Sequence, residues 1–246
     1  TITKTAVATG ADLVAYSGFS SSNYLEQPYN ADLDFGTGDF SIMGWAKIPT
    51  SSAYGCMFNR SENDLSTSLL IQKNSSNTVR FYLGAAIDST TLVNDTWQFI
   101  SCLRVNGIAS VWINGNQENS LANTSNLNGV NLSSLIGIRY DSAGVIIQPL
   151  VGSLALWRIS ATAPTAAQIK EIYEAEKPLF QENAKCTLNG TSDAVQCLAY
   201  DDSTSELVVG TSSSLSVFKG LRRVDEELGN FTEVSQQGGM RITEKA

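Results

Sequence analysis

The chain is 246 residues long, enough for one large all-β domain or a medium domain with a small companion. Hydrophobic residues make up 42% and charged residues only 16%, which excludes a disordered chain. With 16 basic and 24 acidic residues the formal charge is −8, a surface that repels phosphate backbones and excludes nucleic acid as a natural partner. There is no histidine. That removes Ser-His-Asp and Cys-His nucleophile systems and every His-containing zinc site. No apolar run reaches the ~20 residues of a membrane helix, so no membrane insertion is expected. Thr1 in place of a Met implies a chain trimmed or cut from something longer.

In chain order, the first firm element is DFSIMGWAKI (Asp39–Ile48). Phe40, Ile42 and Ile48 share one parity, and Met43, Trp45 and Lys47 the other. YGCMFNR, SLLIQKN and TVRFYLG read as three short strands separated by polar loops. TWQFISCLRVNGIASVWINGN reads as a hairpin turning at Asn106-Gly107, a dipeptide that supplies the positive φ of a tight turn. SSLIGIR and LVGSLALWRIS complete the set, and many short strands at regular spacing predict an all-β sandwich or jelly roll. Trp45, Trp97, Trp112 and Trp157 all fall in these strands and are expected in the core. Cys56 and Cys102 sit in apolar runs, and with no CxxC spacing all four cysteines, Cys186 and Cys197 included, are expected to be reduced.

One segment departs from the β pattern. TAPTAAQIKEIYEAEKPLF carries Ile169, Ile172 and Tyr173 at helical spacing, with Thr165 as N-cap and Pro178 as stop, so a short helix is predicted near 165–177. After Phe180 three short strands are predicted, Ala194–Tyr200, Leu207–Gly210 and Leu215–Phe218, with one more in NFTEVSQQGGMRI. The expected division is a sandwich over 1–182 and a small β-meander domain over 183–246. About four strands alone are marginal in water, so the meander is expected to pack on the sandwich or on copies of itself. GLRRVDEE (Gly220–Glu227) reads as a solvated strand end, or as a charge set pairing between subunits.

The loop between SSLIGIR and LVGSLALWRIS holds Arg139, Tyr140, Asp141 and Gln148. A tyrosine ring can stack on a sugar face, while Arg139 and Asp141 can hydrogen-bond hydroxyls or an acidic substituent. Tyr140, Arg139 and Asp141 are therefore the candidate carbohydrate-binding residues. The bland reading is a solvated link between two core strands.

FSSSNYLEQPYNADLDFGTGDFSIMGWAKIP resembles the opening of a laminin-G-like or pentraxin-like domain. TWQFISCLRVNGIASVWINGNQ is similar to that family's central hairpin, and LVGSLALWRISATAPTAAQIKEIYEAE to its last strand and helical tail. Together they cover Gly18 to Lys177 and imply a concanavalin A-like antiparallel sandwich. In pentraxins the equivalent loop gives calcium its oxygens, so the resemblance implies Asp141 and Gln148 as ligands, with Asn63 and Asp64 of RSENDLS from a partner loop. Arg139, however, stands where the family places a carboxylate, and a guanidinium repels the ion. No cofactor is therefore expected. Laminarinase-type glycosidases on this sandwich carry Glu, Asp and Glu at near-alternating strand positions. ENDLST offers Glu62 and Asp64, but Ser66 and Thr67 where the last Glu should stand, so no reaction is expected.

The second half, IYEAEKPLFQENAKCTLNGTSDAVQCLAYDDSTSELVVGTSSSLSVFKGLRRVDEE, resembles a segment that follows laminin-G-like domains in tail and tail-fibre proteins of tailed bacteriophages. That pairing implies a virion tail protein assembled in the bacterial host cytoplasm. Its implied partners are other virion subunits, copies of itself (a trimer) and a host-surface glycan. The alternatives are a purely architectural virion module without glycan binding, or a glycoside hydrolase on the same fold.

Overall fold

A computed structural model describes residues 1–9, 11–50, 53–60, 69–129, 132–141, 143–181, 195–220 and 222–245. Strands β1 (Thr3–Ala6), β2 (Val14–Ser17) and β3 (Leu25–Gln27) lead to β4 (Phe40–Lys47). A meander follows: β5 (Gly55–Arg60), β6 (Leu69–Lys73), β7 (Thr78–Leu83) and β8 (Ala86–Thr91). Next come β9 (Trp97–Val105), β10 (Ile108–Ile113), β11 (Asn116–Ala122) and β12 (Ser134–Ile136). Two very short strands, β13 (Arg139–Tyr140) and β14 (Ile146–Ile147), precede β15 (Ser153–Ser160) and helix α1 (Ala166–Glu176). The chain ends with β16 (Cys197–Asp201), β17 (Glu206–Gly210), β18 (Ser214–Lys219), β19 (Arg222–Leu228), β20 (Phe231–Gln237) and β21 (Met240–Lys245). By contacts it divides into two compact units, residues 1–5 with 14–175 and residues 6–13 with 176–246. Among the described residues no helix is long and apolar enough to cross a membrane.

The first unit is the expected β-sandwich. A seven-stranded sheet, order β1-β2-β15-β4-β9-β10-β11, faces a six-stranded sheet, order β3-β12-β5-β6-β7-β8. Strand alternation explains the core. Phe40, Ile42, Ala46 and Ile48 of one sheet meet Phe58, Ile71, Phe81 and Ile87 of the other, together with Ile100, Cys102 and Val111. The β9–β10 hairpin turns at Asn106 (φ 48°) and Gly107 (φ 74°), as that dipeptide predicts.

The opposite parity of β4 does different work. Trp45 stacks on Tyr173 of α1 at 5.8 Å and lies 5.5 Å from Phe99, so the helix covers the outer face of the seven-stranded sheet. The helix starts on a reciprocal cap: Thr165 Oγ1 accepts from the Gln168 N–H at 3.3 Å, and Gln168 Oε1 accepts from the Thr165 N–H at 2.9 Å. Trp45 and Trp112 are buried, whereas Trp97 and Trp157 are only half-buried. Cys56, Cys102 and Cys197 are free thiols, and Cys186 lies outside the described residues. Burial pushes the thiol pKa of both Cys56 and Cys102 far above the ordinary value, which makes them inert packing groups.

In the second unit a four-stranded antiparallel sheet, β16-β17-β18-β19, buries Val208, Leu215 and Val217 against Phe231 of the β20–β21 hairpin. One expectation needs correction. NFTEVSQQGGMRI is two strands, because Gly238 (φ 59°) and Gly239 (φ 79°) reverse the chain. GLRRVDEE forms, from Arg222 on, the exposed fourth strand of the meander, in keeping with the solvated strand end expected. Its register puts Asp225 and Glu227 beside Val217 and Leu215, and they meet Arg241 at 3.2 Å and Lys245 at 2.6 Å within the same chain.

Asp201 fastens this unit together. Its carboxylate accepts from the Ser203 hydroxyl (2.6 Å) and N–H (2.9 Å) and from the Gly239 N–H (2.7 Å), tying the β16–β17 turn to the β20–β21 turn. The Ser203 hydroxyl first, then the Gly239 N–H, hold its pKa down at about 2. A depressed carboxylate stabilises the fold above its ordinary pKa of 3.8 and loses that contribution as pH falls through the folded value. The Gly239 amide resonance is expected to titrate with a midpoint near pH 2. Its protection from hydrogen exchange should fall below about pH 4, and Asp201→Asn should remove the transition. A midpoint near 4 would show that these bonds do not form in solution.

Candidate functional site

The inward row Phe58, Ile71, Phe81 and Ile87 fixes what the six-stranded sheet shows on its other side. One outward row runs Glu26, Leu135, Asn59, Leu70, Tyr82 and Ala86 across β3, β12, β5, β6, β7 and β8. A second joins Cys56, Gln72, Arg80 and Asp88. Arg80 and Asp88 form a two-pronged pair, both contacts at 2.8 Å. The side-chain oxygen of Gln72 is buried with no hydrogen-bond partner.

The 139–148 loop is built onto this outer face. It leaves β12 through Gly137, whose N–H reaches the Met57 carbonyl at 3.2 Å and whose own carbonyl accepts from Leu150 at 2.9 Å. It returns through Gln148, held at φ 54° with its carbonyl accepting from the Cys56 N–H at 3.0 Å. A left-handed non-glycine persists only where its surroundings hold it, and here both ends of Gln148 are held. Its side-chain oxygen accepts from Arg139 Nε at 2.7 Å, and Arg139 also donates to the Tyr140 carbonyl at 3.1 Å. The Tyr140 N–H points to Asn59 Oδ1 at 3.4 Å.

Of the predicted residues, Arg139, Tyr140, Asp141 and Gln148 come together, with the side-chain oxygens of Gln148 and Asp141 engaged inside the loop. The Gln148 side-chain oxygen is taken by a cation. Asp141 Oδ1 accepts the backbone N–H groups of Ala143 and Val145, each at 2.8 Å, and so closes its own turn. Glu62, Asn63 and Asp64 lie outside the described residues. Among the described residues no group of three or more His, Cys, Asp or Glu is placed to hold a metal ion. The loop as folded does not fit a hard cation that wants six or more oxygens.

Further polar groups gather around Tyr140. Tyr140 is half-buried, and its phenol pKa is raised first by burial, then by the Glu26 carboxylate and by Tyr24. Tyr24 and Glu26 are thus neighbours of Tyr140, although more than a hundred positions separate them in the chain. No local sequence signal marks either, since β3 is only three residues long and wholly exposed. Together the phenols, the carboxylate and the Arg139 guanidinium offer stacking surface, an acceptor and donors.

A profile of the concanavalin A-like lectin/glucanases superfamily, laminin-G type, matches residues 19–170. The chain belongs to this family. Among solved structures, the laminin-G-like domain is similar to domain 4 of AbnA, an extracellular arabinanase of Geobacillus stearothermophilus, in complex with arabinotriose. The two share 18% identity over 70% of this chain and 81% of that one, with a TM-score of 0.52. It is also similar to the Ruminococcus gnavus sialidase module CBM40 bound to α2,3-sialyllactose, at 10% identity over 61% and 96% of the two chains and a TM-score of 0.50. Against a Trypanosoma rangeli sialidase the identity is 9%, over 70% of this chain but 28% of the other, at a TM-score of 0.50. At these identities the likeness is one of fold. No curated protein matches the sequence.

Proposed function

We propose that the laminin-G-like domain is a metal-free carbohydrate-binding module whose site is the Tyr24–Glu26–Tyr140–Arg139 face. The observation that carries this reading is the loop itself. Arg139, clamped on Gln148, holds Tyr140 half-exposed beside a second tyrosine and a carboxylate. Support comes from the family and from the arabinotriose and sialyllactose bound to two domains of similar fold. No reaction is assigned to the chain. The setting we propose is a phage tail or tail fibre recognising host-surface carbohydrate, supported by the second half's resemblance to tail-protein segments. In that setting the second unit contacts copies of itself or other virion subunits. Leu198 and Tyr200 stand 61% and 56% exposed on one face of β16 and offer apolar surface to such a contact.

A glycan and bacterial-polysaccharide array tests the site, run in calcium and again in chelator. Binding is expected in both, and Tyr140→Ala and Tyr24→Ala should each weaken it by about tenfold, the loss of one stacking contact. Binding that vanishes in chelator would restore a calcium site. Turnover of a bound polysaccharide would make the domain a hydrolase. A clean monomer at micromolar concentration would remove the self-association.

A further inference from the structure

A cavity of about 410 Å³ opens at the rim of the sandwich, where β2 and β4 end and β15 begins. None of Tyr24, Glu26, Arg139 and Tyr140 lines it. Phe19, Pro49, Leu150 and Val151 supply apolar wall, and Ser17, Gly18, Gly152 and Ser153 add small side chains or none. The two remaining lining residues, Lys47 and Asp95, carry opposite charges. Both are exposed. Among the described residues neither charged group has a hydrogen-bond or ion-pair partner, and the two do not pair with each other.

The backbone holds the two charges near one another. Asp95 sits at φ 56°, and its N–H donates to the Ile48 carbonyl at 2.8 Å, one residue beyond Lys47. The β4–β9 register agrees, placing Lys47 opposite Trp97, two positions after Asp95.

A solvated charge needs no partner, but a molecule that fills the cavity strips water from both charges at once. An apolar guest would leave a cation and an anion uncompensated, and a singly charged guest would leave one of them so. The guest that satisfies both carries a carboxylate for Lys47 and an ammonium for Asp95, a short distance apart. We propose that this cavity binds a free α-amino acid with an aliphatic side chain. Its carboxylate accepts from Lys47 Nζ, its ammonium donates to the Asp95 carboxylate, and its side chain lies against Pro49, Leu150 and Val151. In a peptide the two charges stand at opposite ends of the chain, so the free amino acid is the compact carrier.

The test is titration of the isotope-labelled full chain with leucine, followed by amide resonances. Saturable shifts are expected at Lys47, Asp95 and Gly152. Leucinamide, which lacks the carboxylate, and N-acetylleucine, which lacks the ammonium, should each bind about tenfold more weakly. Lys47→Gln should bind leucine no better than leucinamide, and Asp95→Asn should bind it no better than N-acetylleucine. Both positions are exposed, and asparagine accepts a left-handed backbone, so the fold is expected to stay intact. No saturable shift at millimolar leucine, or equal affinity of the wild-type chain for the three compounds, would overturn the proposal. So would a Lys47→Gln chain that still prefers leucine to leucinamide.

Discussion

Arg104→Met is expected to destabilise the sandwich by about 3–5 kcal/mol, the cost of breaking a buried charged network from one side. Arg104 is fully buried in β9. It donates to the carbonyls of Gly36 (2.7 Å), Gly38 (2.9 Å) and Ser125 (2.7 Å) and to Asn123 Oδ1 (3.3 Å). Its guanidinium also lies over the Phe40 ring at 5.3 Å. One side chain thus staples the loop before β4 to the loop after β11, with the planar fork as the fastener. Burial lowers its pKa, and the network keeps the charge worth holding. Methionine fills the volume but leaves those acceptors without their donor. Lysine has one nitrogen where three are used, so Arg104→Lys should recover less than half of the loss. Urea unfolding followed by tryptophan fluorescence reads the sandwich alone, because Trp45, Trp97, Trp112 and Trp157 all belong to it. A loss below about 1 kcal/mol would show the loops to be held by other contacts.

Gly137→Ala is expected to cost about 2–4 kcal/mol and to weaken the proposed glycan binding with it. Gly137 sits at φ 88°, and an added Cβ would fall 2.1 Å from the Phe19 ring. Left-handed strain and overpacking add together there. The larger consequence is positional, since Gly137 is the foot from which Arg139 and Tyr140 spring. Phe19→Leu in the same chain should relieve the clash but not the φ penalty. A double-mutant cycle should therefore show a favourable coupling of about 1 kcal/mol or more with a remaining deficit. Simple additivity would mean that the Phe19 ring does not press on the loop.

The sandwich was legible where local chemistry and burial agree. Asn106-Gly107 can hardly do other than turn, Thr165 and Gln168 cap a helix by themselves, and the Phe40–Ile42 parity needs an apolar partner. Among the strands that escaped are β8 (AIDSTT), half exposed, and β11 (NQENSLA), almost wholly exposed. A paired sheet edge with a wet face carries no hydrophobic alternation to read. GLRRVDEE was hidden for a related reason: its acidic parity is satisfied by ion pairs from the hairpin, not by apolar contact.

The same division runs through the candidate site. Residue types alone singled out Arg139, Tyr140, Asp141 and Gln148, since such a cluster between two core strands has few structural duties. The sequence likewise determined the jelly-roll class and the lack of a histidine-based nucleophile. Tertiary structure decided what the loop residues do. Pairing of β3 with β12 carries Glu26, and Tyr24 with it, to Tyr140, and the left-handed turn at Gln148 gives its oxygen to Arg139 instead of a cation. Strand pairing joins residues by register, whatever their separation along the chain, so these neighbours leave no local trace in the sequence.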